Sequence, residues 1–266
     1  MARAASRLGE WVRGRVGGAV REWGYYGALL AEAVYWLLAG GRRRQPVRAA
    51  AVFEQMMEIG VAAVPIVFLL SFAIGVMLAI QGIHTLRTFG AESEVVVGIT
   101  LAVSREFGPL ITAVVVAGRT GSALAARIGS MQVSQEIDAL VVMGINPVRY
   151  LVSPALLATL AVLPALSFMA DVAAWLGAAI YTRIELGTGI VAFGARTLEV
   201  LATEDLMQGL AKSVVFALVI ALVGVSNGFS VSGGAEGVGR ATTRSVVYCI
   251  SYIVLADMVF TWFLSQ

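Results

Sequence analysis

With one cysteine and one histidine in 266 residues, the chain lacks the side chains from which most enzymes and metal centres are built. Cys249 cannot close an internal disulfide, and its apolar setting suits packing. His84 alone excludes an HExxH zinc site, and a serine–histidine pair would have to use a residue in an external loop. Charge is scarce too. Charged residues make up 14% and hydrophobic ones 59%, against about 25% and roughly 45–50% in soluble domains. A formal charge of +2 is too small to point to nucleic acid. No phosphate loop is present: "SGGAEGVGRATTRS" has no Gly-Lys-Ser/Thr after it, and "GLAKS" has alanine where the second glycine belongs. The N-terminal arginines precede no apolar stretch with a small-residue cleavage site, so this segment is expected to be retained.

What the chain does have is long apolar runs, which predict an all-α integral membrane protein with short loops. Residues 1–48 read as an N-terminal interfacial region. Trp11, Val12, Val16, Ala19, Val20 and Trp23 recur at helical spacing, with Arg13, Arg21 and Glu22 off that stripe. Residues 25–38 are apolar but short and hold Glu32, and "GRRRQPVR" closes the region as a basic turn. Residues 49–266 hold five candidate spans, at 59–82, 95–117, 150–181, 212–231 and 246–264. The first is uncharged and covers about 36 Å at 1.5 Å per residue. The third is longer than a bilayer needs and holds Pro154 and Pro164, which predicts tilt, a kink or a re-entrant start.

Loop charge sets the expected orientation. Nine arginines precede the first span, Arg119, Arg127 and Arg149 fall between the second and third, and Arg240 and Arg244 between the fourth and fifth. The opposite loops hold Arg87, Arg183 and Arg196, with Lys212 at a membrane edge. The positive-inside rule then puts the N-terminus in the cytoplasm, the C-terminus outside, and the acidic loop 183–209 outside.

Within "VSREFGPLIT", Arg105 and Glu106 stand side by side in an apolar run. Arg105 is the eleventh residue of its segment, about 15 Å along a helix. Leaving such a charge in lipid costs about 2.5 kcal/mol or more. Pro109 removes a backbone donor and collides with the Arg105 carbonyl, so the helix is expected to break or kink here, its charges facing an internal cavity. If the span starts only after the break, the same charges lie in a shallow loop. Lys212, the only lysine, reads on its own as a snorkelling residue at the start of the fourth span. Asp257 is isolated inside the fifth span and could meet Lys212 or Arg105; Asp171 is similar but at uncertain depth.

"AGRTGSALAARIGSM" lines up small residues that allow close helix approach. "QVSQEIDALVVMGINP" then predicts a short surface helix at about 131–145, apolar through Ile137, Leu140 and Val141 and stopped by Gly144 and Pro147. It could be a solvated loop helix or a docking helix for a cytoplasmic partner.

Four motifs in this order, "SREFGPLITAVVVAGRTGSALAARIGSM", "QEIDALVVMGINPVRYLVSP", "KSVVFAL" and "GGAEGVGRATTRSVV", followed by Asp257, resemble the MlaE/YrbE family. Members are permease subunits of MCE-type ABC lipid transporters, and the likeness runs from about residue 50 to the C-terminus. Ala155 departs from it, where the family often has arginine, which leaves the entry of the third span open. The resemblance implies a homodimer in the bacterial inner membrane, with its C-terminus in the periplasm under a ring of MCE proteins. An ABC ATPase would dock on each coupling helix through Gln132, Gln135, Glu136, Asp138, Leu140 and Met143. That partner would hold ATP and Mg, leaving this chain without cofactor, metal or catalytic residue. Arg105, Glu106, Lys212 and Asp257 become polar residues of a phospholipid path. Sterol or fatty-acid cargo, or a non-transporting scaffold or channel, remains open on the residues alone.

Overall fold

The computed structural model describes residues 2–41 and 45–264, with side chains from Arg21 to Phe263 apart from the gap. Eight helices and no strand occur among these described residues. They are α1 (Ala2–Ala39), α2 (Ala49–Arg87), α3 (Glu92–Val133), α4 (Glu136–Val142), α5 (Val148–Leu186), α6 (Ile190–Val200), α7 (Thr203–Phe229) and α8 (Gly234–Leu264). Five of them, α2, α3, α5, α7 and α8, are long and apolar enough to cross a bilayer. The chain is therefore an all-α integral membrane protein.

These helices overrun the apolar segments at both ends. The 42 residues of α3 would extend about 63 Å, against a hydrocarbon core of about 30 Å. Their polar ends continue as helix because every backbone group is satisfied within the segment, and α5 stops at Gly187, whose φ of 70° is costly for other residues. Pro154 follows a π turn in which the Ser153 amide donates to the Val148 carbonyl, and the wider turn accommodates the donor that proline lacks. The third span thus enters as continuous helix through a π turn at Val148–Val152, with Ala155 wholly buried.

The core lies between α3, α5 and α7, around Val116, Leu163, Phe216 and Ile220. α2 and α5 pack most extensively, through small residues: a Cβ on Gly75 would overlap the Ala174 carbonyl, and one on Gly177 the Phe72 carbonyl. Such close backbone approach adds dispersion contact between the two helices that larger side chains would prevent. α8 is peripheral, with 11% of its most apolar stretch buried against 67% for α5.

Three expectations change. Residues 2–39 form one helix rather than two short ones. The stripe residues Trp11, Val12, Val16, Ala19 and Val20 lie outside the described side chains, whereas Tyr26, Leu29 and Ala33 are buried on the bundle. There Glu32 accepts a hydrogen bond from Asn146 Nδ2 at 2.8 Å, and Trp23, Tyr26 and Tyr252 form an aromatic cluster. Second, the acidic loop 183–209 is largely helical. α6 buries Phe193 against Val95, Ile99 and Ala178, and Thr197 meets Thr100 at 3.3 Å. Third, the surface helix is shorter than 131–145. α3 runs on to Val133, and Gln135 turns the chain with φ of 60° before the seven residues of α4.

Candidate functional site

Arg105, Glu106, Lys212 and Asp257 gather where α3, α7 and α8 meet. Pro109 does not break α3. Instead Val103–Phe107 forms a π turn in which the Gly108 amide donates to the Val103 carbonyl, five residues back. The wider turn accommodates the donor that Pro109 lacks, so the helix stays continuous, and the expected broken helix is corrected to a local bulge. The bulge exposes its backbone to close neighbours. A Cβ on Gly209 of α7 would overlap the Ser104 carbonyl, and one on Gly108 would overlap Oδ1 of Asp171 on α5.

Arg105 and Glu106 point to different partners. Arg105 Nε donates to Asp205 Oδ1 at 2.7 Å, with Nη2 at 2.5 Å from the same oxygen. Asp205 Oδ2 accepts the Ala202 amide at 3.1 Å, which caps the start of α7. Asp205 is nearly fully buried while the Arg105 side chain is 47% exposed. Its remaining N–H groups are thus open to another acceptor. Sequence reasoning placed Asp205 in an external loop; its one signal was an acid in the first turn of a helix.

Glu106 binds Lys212. Lys212 is the tenth residue of α7 and 1% exposed, which overturns its reading as a snorkelling end residue. The helix begins nine residues earlier because the polar stretch from Thr203 is capped by Asp205. Lys212 Nζ donates to Glu106 Oε2 at 2.6 Å and to Thr261 Oγ1 at 3.1 Å. It also lies 2.9 Å from Asp257 Oδ1, an attraction of charges without hydrogen-bond alignment. The Thr261 hydroxyl is 3.0 Å from Glu106 Oε1, which closes the network. One buried ammonium thus ties three helices together. Sequence reasoning missed Thr261, which carries no charge to mark it.

Asp171 is buried beside the bulge with no donor to its Oδ1, and it joins neither ion pair among the described residues. No group of three or more His, Cys, Asp or Glu able to hold a metal occurs among them either. Cys249 is buried and His84 exposed on α2.

At the arginine-rich end of the bundle, α4 buries Ile137 and Leu140 and exposes Val141, Val142 and Met143. Leu140 therefore anchors the helix, and Val141 faces outward instead of inward as its spacing suggested. Gln135, Glu136 and Asp138 are exposed, and Gln132 is half-buried in the last turn of α3. The Ser134 hydroxyl lies 2.7 Å from Glu136 Oε1 and 3.0 Å from the Ser130 carbonyl, so its one proton has an acceptor on either side of the joint between α3 and α4.

Residues 52–263 match the family model described as Permease MlaE. A probable ABC transporter permease protein of Rickettsia typhi is 31% identical over 218 residues, 82% of this chain and 84% of that protein. The chloroplastic protein TRIGALACTOSYLDIACYLGLYCEROL 1 of Arabidopsis thaliana is 34% identical over 80% of this chain and 61% of its own length. The intermembrane phospholipid transport system permease protein MlaE of Haemophilus influenzae is 30% identical over 78% of this chain and 80% of its own. With its five membrane-crossing helices and a match over most of its length, the chain belongs to the MlaE family of ABC transporter permeases.

Proposed function

We propose that this permease moves glycerophospholipid between the bacterial inner membrane and a periplasmic ring of MCE proteins, driven by a separate ATPase. The observation that carries this reading is Arg105, half-exposed in an apolar bundle yet held in place by buried Asp205. A guanidinium fixed by one carboxylate presents its remaining donors to a phosphate. Glu106, Lys212, Asp257 and Thr261 hold the surrounding helices in register. The name of the Haemophilus relative supports phospholipid as the cargo class.

Two copies of the chain enclose the lipid, and the outward faces of α2 and α8 supply surface for pairing. The ATPase docks on Val142, Met143 and the polar residues of α4, holding ATP and Mg itself. Only Ser134 and Gln135 separate α4 from α3, and α3 runs unbroken to Arg105. A push on α4 is thereby delivered along about 42 Å of helix to the polar cluster. The test is transfer of fluorescent phospholipid by the reconstituted complex. Arg105→Ala and Asp257→Ala are expected to abolish most transfer with ATPase binding intact; full transfer by both would refute the role.

A further inference from the structure

A second polar site lies at the arginine-rich end, about 33 Å along α3 from Arg105. A cavity of about 350 Å³ opens where the basic turn before α2, the end of α3 and the start of α5 converge. Arg48, Arg127 and Arg149 line it, with Glu54, Gln55 and Tyr150. A smaller cavity of about 140 Å³ continues from it, sharing Gln55 and Arg127. None of the three arginines joins an ion pair among the described residues. Arg149 stacks over Trp36 at 5.6 Å, which fixes its direction. Gln55 is 7% exposed, and its buried amide oxygen has no donor. Three unpaired cations beside an unmet acceptor ask for a ligand that carries both a phosphate and a hydrogen-bond donor.

The position favours a lipid over a soluble phosphate. The cavity sits at the ends of three spans, beside the interfacial aromatics Trp36 and Tyr150. Met57 lies seven residues after Ala50 and Val61 seven after Glu54, so both continue the cavity's face of α2, and they are 63% and 57% exposed. We propose that this cavity binds the headgroup of a glycerophospholipid in the adjoining leaflet. Its phosphate lies against Arg48, Arg127 and Arg149, its alcohol or ammonium donates to Glu54 and Gln55, and its acyl chains follow Met57 and Val61. Basic pockets between membrane helices recognise anionic headgroups in this way. The site is separate from the Arg105 cluster and stands whether or not that cluster carries cargo.

Native mass spectrometry of the full chain in detergent tests this, with dioleoyl phosphatidylethanolamine, phosphatidylglycerol and phosphatidylcholine offered at equal concentration. The ethanolamine and glycerol lipids, which have donors, are expected to be retained over the choline lipid, which has none. Arg48→Ala with Arg127→Ala should weaken their retention about fivefold per arginine, about 25-fold in all, and Arg48→Lys with Arg127→Lys should restore most of it. If the double alanine variant does not fold, Gln55→Leu is the second reading and should bring both lipids towards the choline level. Equal retention of all three lipids, or unchanged retention in these variants, would overturn the proposal. Displacement by free glycerol 3-phosphate at the lipid's own concentration would assign the site to a soluble phosphate instead. Loss of the ATPase rather than of lipid in the double variant would assign it to protein docking.

Discussion

Replacing Lys212 by methionine keeps the length of the side chain and removes its charge. The ammonium is 1% exposed, with carboxylate oxygens at 2.6 and 2.9 Å and a hydroxyl at 3.1 Å. Without it, Glu106 and Asp257 face each other across a site with no cation. Removing one partner of a buried ion pair costs about 3–5 kcal/mol, because the other charge stays behind unpaired. Glu106 retains 35% side-chain exposure and can turn towards solvent, whereas Asp257 retains 15%. The lower figure, about 3 kcal/mol, is therefore the expected loss. At about 2–4 °C per kcal/mol for a chain this size, it corresponds to about 6–12 °C in Tm. The assay is thermal unfolding in detergent of Lys212→Met, Asp257→Asn and the double variant. The double variant should regain at least half of the loss, because it removes one charge of each sign. Lys212→Met melting within about 2 °C of the native protein, or a double variant no better than the single, would refute a network held by the buried ammonium.

Gly209→Ala should lower Tm by about 1–3 kcal/mol equivalent, since its Cβ would overlap the Ser104 carbonyl. Gly98→Ala, with open space around it, should change Tm little and serves as the control in the same melt. Asp171→Asn should leave Tm unchanged or raise it by about 1 kcal/mol equivalent, because a buried carboxyl without a donor to Oδ1 gives way to a neutral isostere; a marked loss would reveal a partner that the bundle hides. Val142→Cys, at a position 88% exposed, should react with maleimide in the isolated permease and be protected by the ATPase. Cys249, the only other thiol, is buried and should contribute little background.

The candidate cluster was half legible. Arg105, Glu106 and Asp257 stand out because a charge in an apolar run has no cheap place in lipid, whereas Lys212 read on its own as a snorkelling end residue and joined them only through the family resemblance. Asp205 did not, since it begins a helix inside a stretch rich in acids, and Thr261 did not, since a lone hydroxyl is unremarkable in a span. The Gly108–Pro109 pair announced a disturbed helix correctly but not its form. A missing donor can be met by a break or by a widened turn, and the neighbours at Gly209 and Asp171 belong to helices far away in the chain.

By itself the sequence determined that the chain lives in a membrane, how many times it crosses, and which motifs place it in a permease family. Those properties are additive over local composition, because the transfer of an apolar stretch into lipid depends little on what packs beside it. The tertiary structure alone decided which charge meets which. Glu106 and Lys212 are separated by 106 residues, and Arg105 and Asp205 by 100. Their pairing depends on the rotation and height of α3, α7 and α8 against one another. Close contacts between small residues set that register, and no local pattern in the chain records it.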